Sequence, residues 1–376
     1  MEILFWGSVF CALFSYFAYP VTLILLRTIF DKKVHSSLEY TPFVTFIITV
    51  HNEERRIGEK LENTIQIDYP RDRMQILVAS DGSTDRTNEI VKGYAEEGIE
   101  LLALEQRGGK ERAQRYAVEK AQGSIVVFSD VATRLESMGI RQIVSNFADS
   151  SIGCVSSVDR VMADGEKGGE GFYVRYEMWV RSLESAIGSV VGLSGSFFAA
   201  RKEVCRDFSI SLPSDFRTLL NSIKSGRRGI SDPHAIGYYY SIKNESREFD
   251  RKIRTVLRGI TTFFNHVEFL NVFRFGFFSY QYLSHKLMRW LTPCFLLLAL
   301  SVHGVLAMQS VSYAALLILH VSVYLCALLG VVYPHTADKL WIRIPKYFVV
   351  VNYAILIAWF KYFAGQRLVM WNPSVR

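Results

Sequence analysis

Four short polar stretches each follow an apolar, β-rich run: "HNEE" at 51–54, "SDGSTD" at 80–85, "EQRGGK" at 105–110 and "SDVAT" at 129–133. Asp81 is the first polar group that a buried strand would aim at a ligand, and Gly82 beside it permits a tight or left-handed turn. Ser83, Thr84 and Asp85 suit the start of the next helix, where Asp85 reads as a cap. "RGGKERA" lacks the G-x-x-x-x-G-K-[ST] spacing of a P-loop. Its two glycines still place Lys110 at a helix start, either as a cation for a diphosphate or as surface charge. Asp130 sits just past the run Ser124–Phe128. Enzymes that handle nucleotide diphosphates often carry Asp-x-Asp or Asp-x-Asn there, and here the second position is Ala132. A hard, octahedral cation such as Mg²⁺ or Mn²⁺ is often held by one or two carboxylates plus phosphates and water. Asp130 therefore stays a candidate metal ligand by itself.

The elements that must position these groups alternate. Val44–Val50 is a β-branched and aromatic run after Pro42, as expected of a strand covered on both faces. A helix is predicted over 53–67, with Ile57, Leu61 and Ile65 on one face. Strands follow at 74–79, 99–104 and 124–128, with helices at 86–97 and 110–121. Repeated βα predicts an α/β domain with a mainly parallel sheet and helices on both faces. Ligands of such sheets bind beyond the carboxyl ends of the strands, where all four polar stretches fall.

Half of the 376 residues are apolar and 14% aromatic, unevenly placed. From Trp290 to Ala337 there is no Asp, Glu, Lys or Arg. One membrane span takes about 20 residues, so this run predicts two helices with a turn at Gln309-Ser310. Ile3 to Leu26 is also free of charge and is followed by Arg27, Lys32 and Lys33. Its n-region is not basic and no A-x-A site follows, so a retained span over 1–30 is expected rather than a cleaved leader. Tyr347 to Phe360, between Lys346 and Lys361, is short enough to lie at the interface or to span. Lysines and arginines after the first helix put the polar middle in the cytoplasm, and those around 339–376 favour three spans over four. The net charge of +7 suits an anionic membrane surface. No dense basic block lies beside an aromatic platform, so nucleic acid is not an expected partner. Cys11, Cys154, Cys205, Cys294 and Cys326 are scattered, which argues against a disulfide framework or a zinc site.

As a set, "VTFIITVHNEERRIGEKLENTIQIDYP", "QILVASDGSTDRTNEIV", "RGGKERAQRYAVEKAQGSIVVFSDVAT", "GLSGSFFAARKEV", "LPSDF" and "REFDRKIRTVLRG" resemble the family 2 glycosyltransferases, membrane-bound inverting enzymes with a GT-A catalytic domain. The resemblance covers residues 42 to about 260. It implies a sugar transfer from a nucleotide-sugar donor to a lipid-linked or polysaccharide acceptor at the cell membrane. Under it Glu53 and Asp81 fall at contacts to the nucleotide base and ribose, Lys110 near the diphosphate, and Asp130 at the first metal-binding acid. Asp215 falls at the catalytic base, and Gly192, Ser194 and Gly195 at a loop that shapes the acceptor side. Three departures stand out. Ala132 replaces the second metal ligand, and Ser214 replaces the Glu of a Glu-Asp pair. Of the polymerases' Gln-x-x-Arg-Trp, whose Gln and Trp help hold polymer and nucleotide, only Arg254 remains, as a donor-binding residue, and this favours adding one or a few sugars. The expected organisation is an N-terminal span (1–30), a cytoplasmic GT-A domain (42–258), amphipathic interfacial helices (259–287) and a membrane region (288–376). A catalytically inactive nucleotide- or glycan-binding membrane subunit is the alternative that Ala132 and Ser214 leave open.

Overall fold

A computed structural model describes residues 1–162, 169–208, 212–239 and 245–367 of the chain. Two compact units emerge: one from residues 27–162, 176–208 and 212–239, the other from 1–26, 169–175 and 245–367.

The first unit is built on an eight-stranded sheet. In chain order the strands are β1 (Val44–Val50), β2 (Met74–Asp81), β3 (Ile99–Leu104), β4 (Ile125–Asp130), β5 (Arg134–Leu135), β6 (Ile152–Val161), β7 (Phe197–Arg201) and β8 (Arg228–Tyr239). Their order across the sheet is β3-β2-β1-β4-β7-β6-β8-β5. The half expected from the βα alternation is parallel: β1 pairs with β2 and β4, and β2 with β3. The other half is mixed, because β7 runs antiparallel to both β4 and β6. Sequence periodicity carried no sign of it. β8 contains Pro233 and Gly237, and β6 is serine-rich, so neither reads as an apolar run.

Register brings the polar stretches together. Val50 pairs with Ser80, and Thr49 with Asp130, so β1, β2 and β4 end at one edge with Asp81 and Asp130 there. β1 and β2 are buried along their whole length, as strands covered on both faces must be. On one face Phe46, Ile48, Val127 and Val155 pack with Ile57 and Leu61 of the helix Ile57–Ile65. On the other, Ile47, Leu77 and Phe128 pack with Ala113 and Ala117 of the helix Lys110–Lys120. Both helices are shorter than their predicted ranges. The chain before Ile57 bonds to the neighbouring loop, and Ala121 leaves the second helix in an extended conformation.

The second unit holds four helices long and apolar enough to cross a membrane: Glu2–Arg27, Phe277–Ala307, Val311–Val332 and Leu340–Phe363. The turn at Gln309-Ser310 falls where the sequence placed it. Two expectations shift. The helix entering the charge-free run begins at Phe277 rather than at 288, inside the stretch expected as interfacial. Residues 347–360 belong to a helix that continues through Arg343 and Lys346 at one end and Lys361 at the other, so it is long enough to cross as a fourth span. Long basic side chains at helix ends can reach the interface, which is why counting only uncharged residues shortened this helix. Its Trp359 indole donates to the Trp290 carbonyl at 2.8 Å. Val311–Val332 buries only Ala327 and Gly330, leaving an apolar surface suited to lipid. The amphipathic helix Glu245–Phe264 also belongs to this unit, joined to the last helix by Lys346–Glu245 and by Lys252 over the Tyr347 ring. The expected domain limit at 258 therefore falls inside a helix of the apolar unit. Arg376, counted among the basic residues after the last helix, lies outside the described residues.

One glycine fixes the approach to β4. A Cβ on Gly123 would lie 2.4 Å from the Thr45 amide nitrogen and 2.5 Å from the Val44 carbonyl carbon, both backbone atoms that cannot swing away. Overpacking of this kind costs about 1–3 kcal/mol. Gly123→Ala is expected to lower unfolding stability by that amount in detergent-solubilised protein, measured by denaturant titration; an unchanged midpoint would show that the β1–β4 junction has slack.

Candidate active site

The loops after β1 and β2 are laced together. Asn52, at φ +52°, accepts from the Thr84 amide at 2.8 Å, and its own amide donates to the Ser83 hydroxyl at 3.1 Å. The Glu53 amide donates to Thr87 Oγ1 at 2.8 Å, and the Glu54 amide to Asp85 at 3.1 Å. Asp85 also accepts from the Thr87 amide and hydroxyl, just ahead of the helix Thr87–Lys92, whose N-cap position is Arg86 rather than the expected Asp85. Burial pushes the Asp85 carboxyl up, but the hydrogen bonds from Thr87 and Glu54 outweigh it and hold the group below its ordinary range.

Glu53, nearly buried at the end of β1, is gripped by Arg56. The guanidinium Nε and Nη2 each donate at 2.8 Å to a different carboxylate oxygen. Burial raises the Glu53 pKa, and Arg56 offsets only part of that. Asp81 is fully buried, and its two oxygens accept from the Gly108 and Gly109 amides, both at 2.7 Å. Both bonds tie down the loop that presents Lys110. Gly82 makes this possible, since at φ +62° a Cβ would lie 2.5 Å from the Arg107 amide nitrogen.

Lys110 then opens its helix and reaches across to β4. Its Nζ lies 2.5 Å from Asp130 Oδ1 and 3.1 Å from the Gly195 carbonyl. With only 11% of its side chain exposed, Lys110 is not a surface charge. Asp130 keeps 30% of its side chain exposed, and no partner of Oδ2 is found among the described residues. The "GLSGSF" loop passes directly below Asp215, where a Cβ on Gly195 would lie 3.0 Å from Asp215 Oδ2. Asp215 sits in the first turn of the helix Ser214–Lys224. Ser214, the departure beside it, is buried and donates at 2.5 Å to Gln114 on the Lys110 helix. That bond fastens the helix bearing Asp215 to the helix bearing Lys110. Asp81, Lys110, Asp130, Gly195 and Asp215 thus form a connected set, with Glu53 at the adjoining strand end. Arg254 lies in the other unit, on the helix Glu245–Phe264. There burial, and then Arg258 and Arg251, lower its pKa against the pull of Asp250.

Sequence reasoning passed over Lys60. It lies on the helix Ile57–Ile65 among the apolar positions, a charge three residues after Ile57 on the core-facing stripe, and that misfit was its signal. Only 3% exposed, its Nζ donates to Ser129 Oγ at 2.7 Å and to the Thr133 carbonyl at 2.6 Å, bracketing Asp130 and the turn that holds Ala132. Burial pushes its pKa down to about 7, and the Asp130 charge opposes this.

Among the described residues no group of three or more His, Cys, Asp or Glu is placed to hold a metal ion. The donor set around Asp130 suits a different arrangement. One half-exposed carboxylate fits a magnesium or manganese ion whose remaining ligands are diphosphate oxygens and water.

With this geometry in place, comparison with known proteins decides the family. Residues 45–207 match the family described as glycosyl transferase family 2. The chain carries a family 2 glycosyltransferase domain. A β-monoglucosyldiacylglycerol synthase of Nostoc sp. is 25% identical over 185 residues, which are 46% of this chain and 38% of that protein. A poly-β-1,6-N-acetyl-D-glucosamine synthase of Staphylococcus aureus is 22% identical over 187 residues, 48% of this chain and 45% of the other. The chain thus spans less than half the length of these curated relatives. The solved mannosyltransferase PcManGT from Pyrobaculum calidifontis, in complex with GDP-Man and Mn²⁺, superposes with a TM-score of 0.74 at 22% identity, covering 96% of this chain and 99% of that one. The fold of this chain is therefore GT-A, with apolar helices flanking the glycosyltransferase domain.

Lys60 gives the site a measurable pH signature. In the unfolded chain its ammonium titrates near 10.5, in the folded protein near 7. Between those values the unfolded state binds more protons, so this lysine adds stability as pH rises from about 7 toward 10. In metal-free buffer the stability difference between wild type and Lys60→Met is expected to move toward wild type across that window. A difference that stays flat would mean that Lys60 titrates normally.

Proposed function

We propose that the chain is a membrane glycosyltransferase that moves a sugar from a nucleotide-sugar donor to a lipid-linked or polysaccharide acceptor by a single inverting displacement. The observation that carries this reading is the convergence of Lys110, Asp130 and Asp215 on one short loop, with one cation and two carboxylates around Gly195. The relatives named for glucolipid and polysaccharide synthesis, and the fold neighbour solved with GDP-Man and Mn²⁺, support the same class of reaction.

Inverting transfer needs a base for the acceptor hydroxyl and positive charge for the leaving nucleoside diphosphate. Asp215, partly exposed above Gly195, is placed to take the hydroxyl proton as the acceptor oxygen attacks the anomeric carbon. Asp130 would hold a divalent cation jointly with the diphosphate, and that ion supplies Lewis-acid neutralisation of the leaving group. Lys110 adds a buried cation on the same side. Its bond to Asp130 exchanges for diphosphate oxygens when the donor arrives. Asp81 acts one step back by fixing the Gly108-Gly109 loop, and Glu53 with Arg56 borders the nucleoside side.

Arg27, Lys32 and Lys33 after the first apolar helix support a cytoplasmic catalytic unit. Arg254, together with Arg251 and Arg258, then forms a basic stripe suited to anionic lipid headgroups or to the acceptor's charged end.

Purified protein in detergent is expected to release nucleoside diphosphate from a UDP- or GDP-sugar in the presence of Mg²⁺ or Mn²⁺. Asp215→Asn is expected to lower turnover by about 10²–10⁴-fold, and Asp130→Ala by about 10²-fold with weaker metal dependence. Full activity in both variants would refute the site. Nucleotide binding without product across a broad donor panel would instead favour an inactive binding subunit.

A further inference from the structure

Asp159, on β6, belongs to none of the motifs above. Its Oδ1 accepts from the Ser194 hydroxyl at 2.6 Å and from the Ser196 hydroxyl at 2.7 Å, and the two serine oxygens lie 2.8 Å apart. One carboxylate oxygen thus closes a triangle across Gly195. The segment it holds touches Lys110, Asp130 and Asp215. The Ser194 amide donates to Ser156 Oγ at 2.7 Å, which ties the segment to β6 a second time. The Gly195 carbonyl receives Lys110, and the Gly195 Cα lies beneath Asp215. The Ser196 carbonyl accepts from the Asp130 amide at 2.9 Å.

We propose that Asp159 is a positioning residue for sugar transfer, fixing the Ser194–Ser196 segment so that Asp215, Lys110 and Asp130 keep their working separations. The inference rests on the transferase reading above. Two hydrogen bonds accepted by an ionised group are stronger than neutral ones, and both converge on a loop whose glycine has no side chain of its own to hold it. Without Asp159 the serine hydroxyls keep only each other, and the segment can rotate. That rotation shifts the Gly195 carbonyl off Lys110 and changes the height of Asp215 above the strand ends. Lys110 and Asp130 keep anchors of their own, the Gly108-Gly109 loop and the pairing of β4 with β1, whereas Asp215 stands directly against Gly195. Loss of Asp159 should therefore appear in turnover rather than in nucleotide affinity. The carboxylate does not need its charge to accept two hydrogen bonds, so an amide at this position should restore much of the function.

The test uses the full-length protein in detergent, with release of nucleoside diphosphate as the rate readout and UDP or GDP with Mn²⁺ as the binding probe. A misplacement of about 1 Å can cost about 10²-fold in rate, so Asp159→Ala is expected to lose turnover on that scale. Its nucleotide Kd and thermal midpoint should stay close to wild type. Asp159→Asn is expected to recover most of the rate, because its Oδ1 still accepts from both serines. If Asp159→Ala fails to fold, Ser194→Ala/Ser196→Ala removes the same two bonds and must show the same loss of turnover with retained nucleotide affinity. Wild-type turnover in Asp159→Ala, or in that double variant, overturns the inference alone. So does a loss of rate accompanied by an equal loss of nucleotide affinity and stability, which would make the role merely structural. A wild type that turns over no donor at all overturns the transferase reading, and this inference with it.

Discussion

The Lys110 ammonium lies between the Asp130 carboxylate and the Gly195 carbonyl, and the rest of the centre is arranged to keep it there. A buried cation is costly unless it is paired and hydrogen-bonded. Each neighbouring device secures one end of that pairing. Asp81 anchors the Gly108-Gly109 loop from which Lys110 starts, and Ser214 with Gln114 fastens the Lys110 helix to the Asp215 helix. Lys60 braces the far side of Asp130 through Ser129 and Thr133. The sheet supplies the alignment. Because β1, β2 and β4 end in register, residues far apart in sequence meet without a long loop.

This arrangement changes the meaning of two of the three departures from the family pattern. Ala132 puts no second carboxylate beside Asp130, and the two lysines that border this position are Lys110 and Lys60. Ser214 gives up a charge beside Asp215 but gains a buried hydrogen bond to the helix that carries Lys110. In both places a charged group is replaced by a small one, while Lys110, Asp130 and Asp215, the groups that the proposed displacement uses, remain.

The parallel half of the sheet was legible because buried parallel strands are nearly continuous apolar runs, and a polar residue just beyond such a run stands out. Asp81 and Asp130 were found that way. Their partners were not, since nothing local in the sequence says that Asp81 bonds to Gly108 and Gly109 or that Lys110 reaches Asp130. Those are consequences of strand order. The mixed half was illegible for a related reason: β6 and β8 are interrupted by serine, proline and glycine, and their pairing partners are distant. Asp159 was missed with them. Lys60 was visible only as a misfit on an apolar helix face, and its purpose depends on the loop below it. In the apolar unit the fourth long helix was underestimated because its ends carry arginine and lysine, which a helix accommodates by directing them toward the interface.

If one loop holds the base opposite a single donor-binding carboxylate, the reaction has room for one displacement and no covalent sugar intermediate. The anomeric configuration of the first product is therefore the most direct test. With an α-linked nucleotide-sugar donor, proton NMR of freshly formed product should show the β anomer. An α product would contradict the arrangement of Asp130, Lys110 and Asp215 described here.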